Sequence, residues 1–74
     1  MTKLTAQMIQ NNVDDLLIEA ICDKESGKYA GFIYIARLGH MSYTLISTNP
    51  GYDNEQEATE AMNMVIKEVC TLKL

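Results

Sequence analysis

The stretch that most constrains this chain runs from Lys28 to Thr48, KYAGFIYIARLGHMSYTLIST. Tyr29 to Leu38 is rich in aromatic and β-branched residues, and Met41 to Thr48 alternates, so the two halves read as paired strands. Gly39-His40 between them suits a two-residue loop with glycine at its first central position. That turn, at 39-40 of a hairpin spanning about 29-48, predicts Leu38 opposite Met41, Ala36 opposite Tyr43, Tyr34 opposite Leu45 and Phe32 opposite Ser47. One face of the ribbon is then bulky and aromatic, while the other carries Ile33, Ile35 and Ile46. A lone two-stranded ribbon is marginal in water, so both faces call for cover.

The flanking segments supply candidates for that cover. At about 100° per residue, Ala6, Ile9, Val13, Leu16, Leu17, Ala20 and Ile21 share one arc, which predicts an amphipathic helix over about 5-22. Thr5 is its expected N-cap, with Leu4 and Ile9 as a hydrophobic staple. Asn11-Asn12 are weak helix formers in its middle, and Ile18 and Cys22 fall off its apolar stripe. Asp23 to Gly27 is a polar connector in which Gly27 supplies backbone freedom for the reversal.

After Asn49-Pro50-Gly51-Tyr52, a turn sequence, Asp53 is the expected cap of a second helix over about 54-71, with Gln56 completing a capping-box pair. Ala58, Ala61, Met62, Val65, Ile66, Val69, Cys70 and Leu72 form its apolar stripe, and Met64 stands apart among Glu57, Glu60 and Glu68. The expected fold is therefore α+β: one domain, 1-74, of order α-β-β-α, a hairpin covered by two helices and completed by dimerisation. Either the helices divide between the two faces, or both cover the bulky face and leave Ile33, Ile35 and Ile46 for a partner.

Composition narrows the function classes. A domain of 74 residues buries only about 60–65% of its unfolded surface, which makes oligomerisation a common remedy. Ten acids against six bases, net −4, disfavour contact with phosphate backbones and anionic membranes. The absence of a long apolar run or a signal-type leader predicts a cytoplasmic chain with reduced cysteines.

Catalytic signals are sparse. His40, the only histidine, sits at the hairpin tip with no nucleophile or acid spaced to partner it. Cys22 and Cys70 lack metal-ligand spacing and read as small buried hydrophobes. Phe32, Tyr34, Tyr43 and Arg37 could stack bases, yet basic residues are scarce nearby. No cofactor and no metal are expected. Ile18, Ile33, Ile35, Ile46, Glu57, Glu60 and Met64 are the interaction candidates, being apolar groups without cover or acids facing solvent.

The order of elements resembles small bacteriophage and prophage proteins of the α/β/α-sandwich kind. In those, a helix similar to Val13 to Ile21 (VDDLLIEAI) precedes a strand pair, and a C-terminal helix opens on an acidic, alanine-containing stretch like Glu55 to Ala61. This chain departs from that group by lacking tryptophan and by its short inter-helix segment. Locally, Ser47 to Tyr52 followed by Ala58 and Ala61 is similar to the strand-turn-helix join of a small bacterial ββα-repeat family, with one copy here instead of two. Neither resemblance implies a catalytic residue. Together these features predict a non-enzymatic interaction protein, a homodimeric accessory or inhibitor of the phage type that masks a basic host protein. A nucleic-acid-binding regulator and a small metal-dependent enzyme are the alternatives.

Overall fold

The structure, a computed structural model, describes residues 3–35 and 43–73. The elements are α1 (Lys3–Asn11), a 3-10 turn (Val13–Asp15), β1 (Leu16–Cys22), β2 (Tyr29–Ile35), β3 (Tyr43–Ser47) and α2 (Glu55–Thr71). The class is α+β, as expected, but among the described residues the sheet has three antiparallel strands in the order β1-β2-β3.

The helix expected over 5-22 is corrected most. It contains Thr5 instead of being capped by it, and it stops at the asparagine pair. There the Asn12 amide donates to the Met8 carbonyl at 2.8 Å, a local bond that competes with helix continuation. Leu16 to Cys22 then pairs with β2 at seven positions, from Leu16 opposite Ile35 to Cys22 opposite Tyr29. A tight reversal closes this pair. The Gly27 N–H donates to the Asp23 carbonyl at 2.8 Å, and Gly27 adopts φ +73°, a left-handed conformation that glycine enters without a Cβ penalty.

The expected β2–β3 register holds at Phe32 opposite Ser47 and then slips. A bulge between Ile33 and Tyr34 leaves Leu45 as the extra residue, so Tyr34 lies opposite Thr44 and Ile35 opposite Tyr43. The bulge lets two consecutive apolar residues, Leu45 and Ile46, both pack on the cluster of Ala6, Ile9 and Val69. The turn expected at Gly39-His40, with Ala36, Leu38 and Met41, lies outside the described residues.

α2 begins one residue later than its expected cap. Asn54, not Asp53, accepts from the Glu57 N–H at 2.9 Å, and the Glu57 carboxylate accepts from the Asp53 N–H at 3.0 Å. Asp53 is drawn instead into an ion pair with Lys28. At the other end, the Gln10 amide of α1 donates to the Val69 and Leu72 carbonyls at 2.6 and 2.9 Å, closing the last turn of α2.

Both helices lie on the same side of the sheet. Ile9, Ile33 and Met62 are the largest fully buried side chains, and α2 crosses β1 and β2 while α1 lies against α2 and β3. The covered face is the one with Ile33, Ile35 and Ile46, the reverse of the one-sided arrangement expected. The α/β/α sandwich is overturned as well. The smallest principal extent, 18 Å, is that of two layers, since a helix or sheet adds about 10 Å.

Candidate interaction surface

Side chains alternate across a strand, so β1 divides in two. Leu16, Ile18 and Ala20 turn toward the helices and are half-buried, whereas Leu17, Glu19 and Ile21 turn the other way and are exposed. On the same open face, the register adds Ala30, Phe32 and Tyr34 from β2 and Thr44 and Ser47 from β3. Glu19, Ile21, Phe32, Tyr34 and Thr44 line a shallow depression on it. A second hollow lies where Ile21, Ala30 and Phe32 meet Pro50. Leu17 is 44% and Ile21 47% exposed. Among the described residues Glu19 is the only charged side chain that the three strands place on this face, and Asp23 and Lys24 border the second hollow.

The strand edges are unequal. β3 is five residues long and bulged, a form that blunts an edge. β1 runs for seven residues without a register shift. The Asp23 N–H donates to the Lys28 carbonyl at 2.7 Å, which fixes the alternation of the ladder. Leu17, Glu19 and Ile21 then bond to β2, while the backbone groups of Leu16, Ile18, Ala20 and Cys22 turn outward.

The charge is unevenly placed too. Residues 14–25 hold five acids and one lysine, while the rest of the chain holds five acids and five bases. The whole net charge of −4 therefore belongs to β1 and its two flanks. At one flank the Ser26 hydroxyl donates to the Asp23 carboxylate at 2.8 Å and holds its pKa below the ordinary value. Asp53 is likewise held low by the hydrogen bond from Lys28, and Lys28 is held high by Asp53.

The candidate residues read from the sequence scatter. Ile33 and Ile35 are buried, at 0% and 4% exposure, and Ile18 and Ile46 are half-buried on the same covered side. These four belong to the interior between sheet and helices. Glu57 closes the α2 cap, and Glu60 accepts from the Gln56 amide at 3.1 Å. Met64 is 62% exposed on the outer side of α2, beside Lys67, Glu68 and Thr71.

The two cysteines, expected to be buried, are both exposed free thiols, and Cys22 ends a strand instead of a helix. His40 and Arg37 fall outside the described residues. Among the described residues, no three His, Cys, Asp or Glu side chains gather as a metal site, and no helix is long and apolar enough to cross a membrane. Sequence reasoning missed Leu17 and Ile21, although the period-two reading of Leu16 to Cys22 would have exposed them. Comparison with protein-family models, with curated proteins and with solved structures finds no match to this chain.

Proposed function

We propose that this chain is a non-enzymatic protein–protein interaction module that meets its partner with the uncovered side of its sheet. The observation that carries the reading is the row of exposed Leu17 and Ile21 beside half-buried Phe32 and Tyr34, on a sheet whose other side is already occupied by both helices. Three-stranded sheets bury one face readily, but a second apolar face is a recurring mark of association. Covering the exposed halves of Leu17 and Ile21 is worth about 1 kcal/mol each, an incentive that solvent cannot supply. The charge on β1 suits a basic partner, in keeping with a role in masking another protein's surface.

The test compares wild type with Leu17→Lys/Ile21→Lys and with Met64→Lys, after circular dichroism shows all three folded. In lysate pull-downs, a partner should be retained by wild type and by the Met64 variant and lost by the double variant. Capture that survives the double variant, or that is lost only in the Met64 variant, refutes the reading.

A further inference from the structure

Among the described residues no strand pairs with the outer edge of β1, and that edge has a chemistry of its own. Its outward backbone groups, at Leu16, Ile18, Ala20 and Cys22, can complete a ladder with a fourth strand. Its open-face side chains alternate apolar, acidic, apolar: Leu17, Glu19, Ile21. Its flanks add Asp14 and Asp15 at one end and Asp23 and Glu25 at the other, with Lys24 the single cation. We infer that the occupant of this edge is an extended, basic segment of another protein, added as a fourth antiparallel strand. The inference rests on the interaction-module reading and specifies its partner.

A second copy of this chain is the obvious competitor, and its charges oppose it. Antiparallel pairing along all seven residues of β1 sets Glu19 against its own counterpart and Asp15 against Asp23 of the copy, as the strand's numbering dictates. Like charges directly opposite are destabilising. Slipping the register by two residues separates the acids but shortens the pairing to residues 16–20 and places Leu17 opposite a carboxylate. A strand carrying arginine or lysine opposite Glu19 and beyond both ends meets acid at each position. Alternate apolar residues on that strand would extend the Leu17 and Ile21 row. In strand addition the backbone ladder supplies affinity and the alternate side chains supply selectivity. Glu19 could instead act only as a guard that keeps the edge from pairing at all, and the experiment separates these roles.

The probe is a fluorescein-labelled nine-residue peptide, Arg-Thr-Val-Thr-Arg-Thr-Val-Thr-Arg, whose one face sets valine against Leu17 and Ile21 and arginine against Glu19 and both acidic flanks. It is titrated into the full chain at about 20 mM and about 200 mM salt. Three controls accompany it: glutamate in place of arginine, alternate N-methylation of the peptide backbone, and the protein variants Glu19→Lys and Ala20→Pro. Proline is tolerated on an edge strand where its missing N–H faces outward, so the second variant blocks the ladder without unpairing β2. The basic peptide should bind, weaken at the higher salt, and lose about tenfold or more in each control. Amide hydrogen exchange should slow at Ile18, Ala20 and Cys22 when it binds.

No binding overturns the inference and leaves Glu19 as a guard. Equal binding of the N-methylated peptide overturns it. So does protection of those three amides in the free protein at high concentration, which assigns the edge to a second copy. Partner capture that persists in Ala20→Pro and disappears in Leu17→Lys/Ile21→Lys sinks this inference alone and leaves the interaction module standing.

Discussion

Gly31 is the position where the packing of α2 on the sheet can be tested most sharply. Its backbone needs no positive φ, Gly27 being the only glycine among the described residues that has one, so it is needed for room. A Cβ built on Gly31 would lie 2.7 Å from Cγ of Met62, 2.9 Å from its Sδ and 3.1 Å from its Cε. Carbon atoms in comfortable contact sit about 3.5–4.0 Å apart, so Met62 would have to retreat by roughly 1 Å. It has nowhere to go: Met62 is 1% exposed, on a helix fixed by the equally buried Ala58 and Val69. Overpacking of this kind costs about 1–3 kcal/mol. The stiffer unfolded chain returns about 0.4–1 kcal/mol.

Gly31→Ala is therefore expected to lose about 1–2 kcal/mol, which for a domain of this size lowers Tm by about 4–15 °C. Urea titration followed by circular dichroism reads the change, with the slope m as a check that two-state unfolding survives. A second arm adds Met62→Ala, which alone should cost about 2–5 kcal/mol. In the Gly31→Ala background the same substitution should cost less by at least about 1 kcal/mol, because the two changes relieve one clash. A neutral or stabilised Gly31→Ala chain, with additive behaviour in the double variant, would refute the close approach of helix and sheet.

Three further outcomes follow from the same geometry. Ile33→Ala should cost about 2–5 kcal/mol and Ile21→Ala under about 1 kcal/mol in urea unfolding, since one is buried at 0% exposure and the other is 47% exposed; equal costs would mean the covered face is misassigned. Gln10→Leu removes the side chain that closes α2 and should cost about 1 kcal/mol, with hydrogen exchange quickening in the last turn of α2 before the sheet; unchanged exchange there argues against that cap.

The Lys28–Asp53 pair is exposed, so its contribution to stability is small, and it is confined to a bounded pH range. Asp53 is held below its ordinary 3.8, so its contribution is complete above that value and fades as pH falls through the lowered one. Lys28 is held above 10.5, so its contribution is complete below that value and fades as pH rises through the raised one. Thermal melts of Lys28→Met across pH should flatten both limbs, and limbs unchanged from wild type would exclude the pair as their source.

Much of α2 could be read from its residues, because a long stripe from Ala58 to Val69 admits one period only. Its cap was displaced by a single position, and the reason lies elsewhere in the fold. Asp53 and Asn54 are both competent caps; Lys28, in the β1–β2 connection, engages Asp53 and leaves Asn54 to the helix. The β2–β3 pairing was legible from its alternation as far as Ile33 and Ile46. Beyond that, two apolar neighbours, Leu45 and Ile46, could not both face inward in a regular strand, and only the position of Ala6, Ile9 and Val69 shows that a bulge turns both of them in. The interaction candidates Ile33, Ile35 and Ile46 were legible as apolar but not as covered, since which face the helices choose depends on Gly31 making room for Met62.

The segment LLIEAIC was the least legible, for a physical reason that also explains the open surface. Leu, Glu and Ala are good helix formers, and Leu16, Leu17, Ala20 and Ile21 satisfy a helical stripe. Yet Ile18 and Cys22 do not; Ile18 finds cover once Leu16, Ile18 and Ala20 are counted in twos, and Cys22 is exposed at the strand's end. The arbiter is non-local: seven paired positions on β2 outweigh local propensity. Moving these residues from helix to sheet acts twice. It widens the sheet from two strands to three, which increases the face to be covered. It also leaves α1 nine residues long, about 14 Å at 1.5 Å per residue, so the covering layer shrinks as the sheet grows. With α1 and α2 both spent on the isoleucine side, Leu17 and Ile21 stay exposed and Phe32 and Tyr34 half-buried, and β1 becomes an outer edge that, with its two flanks, bears the chain's net charge. The uncovered face and the free edge thus share one cause, the conversion of a helix end into a strand.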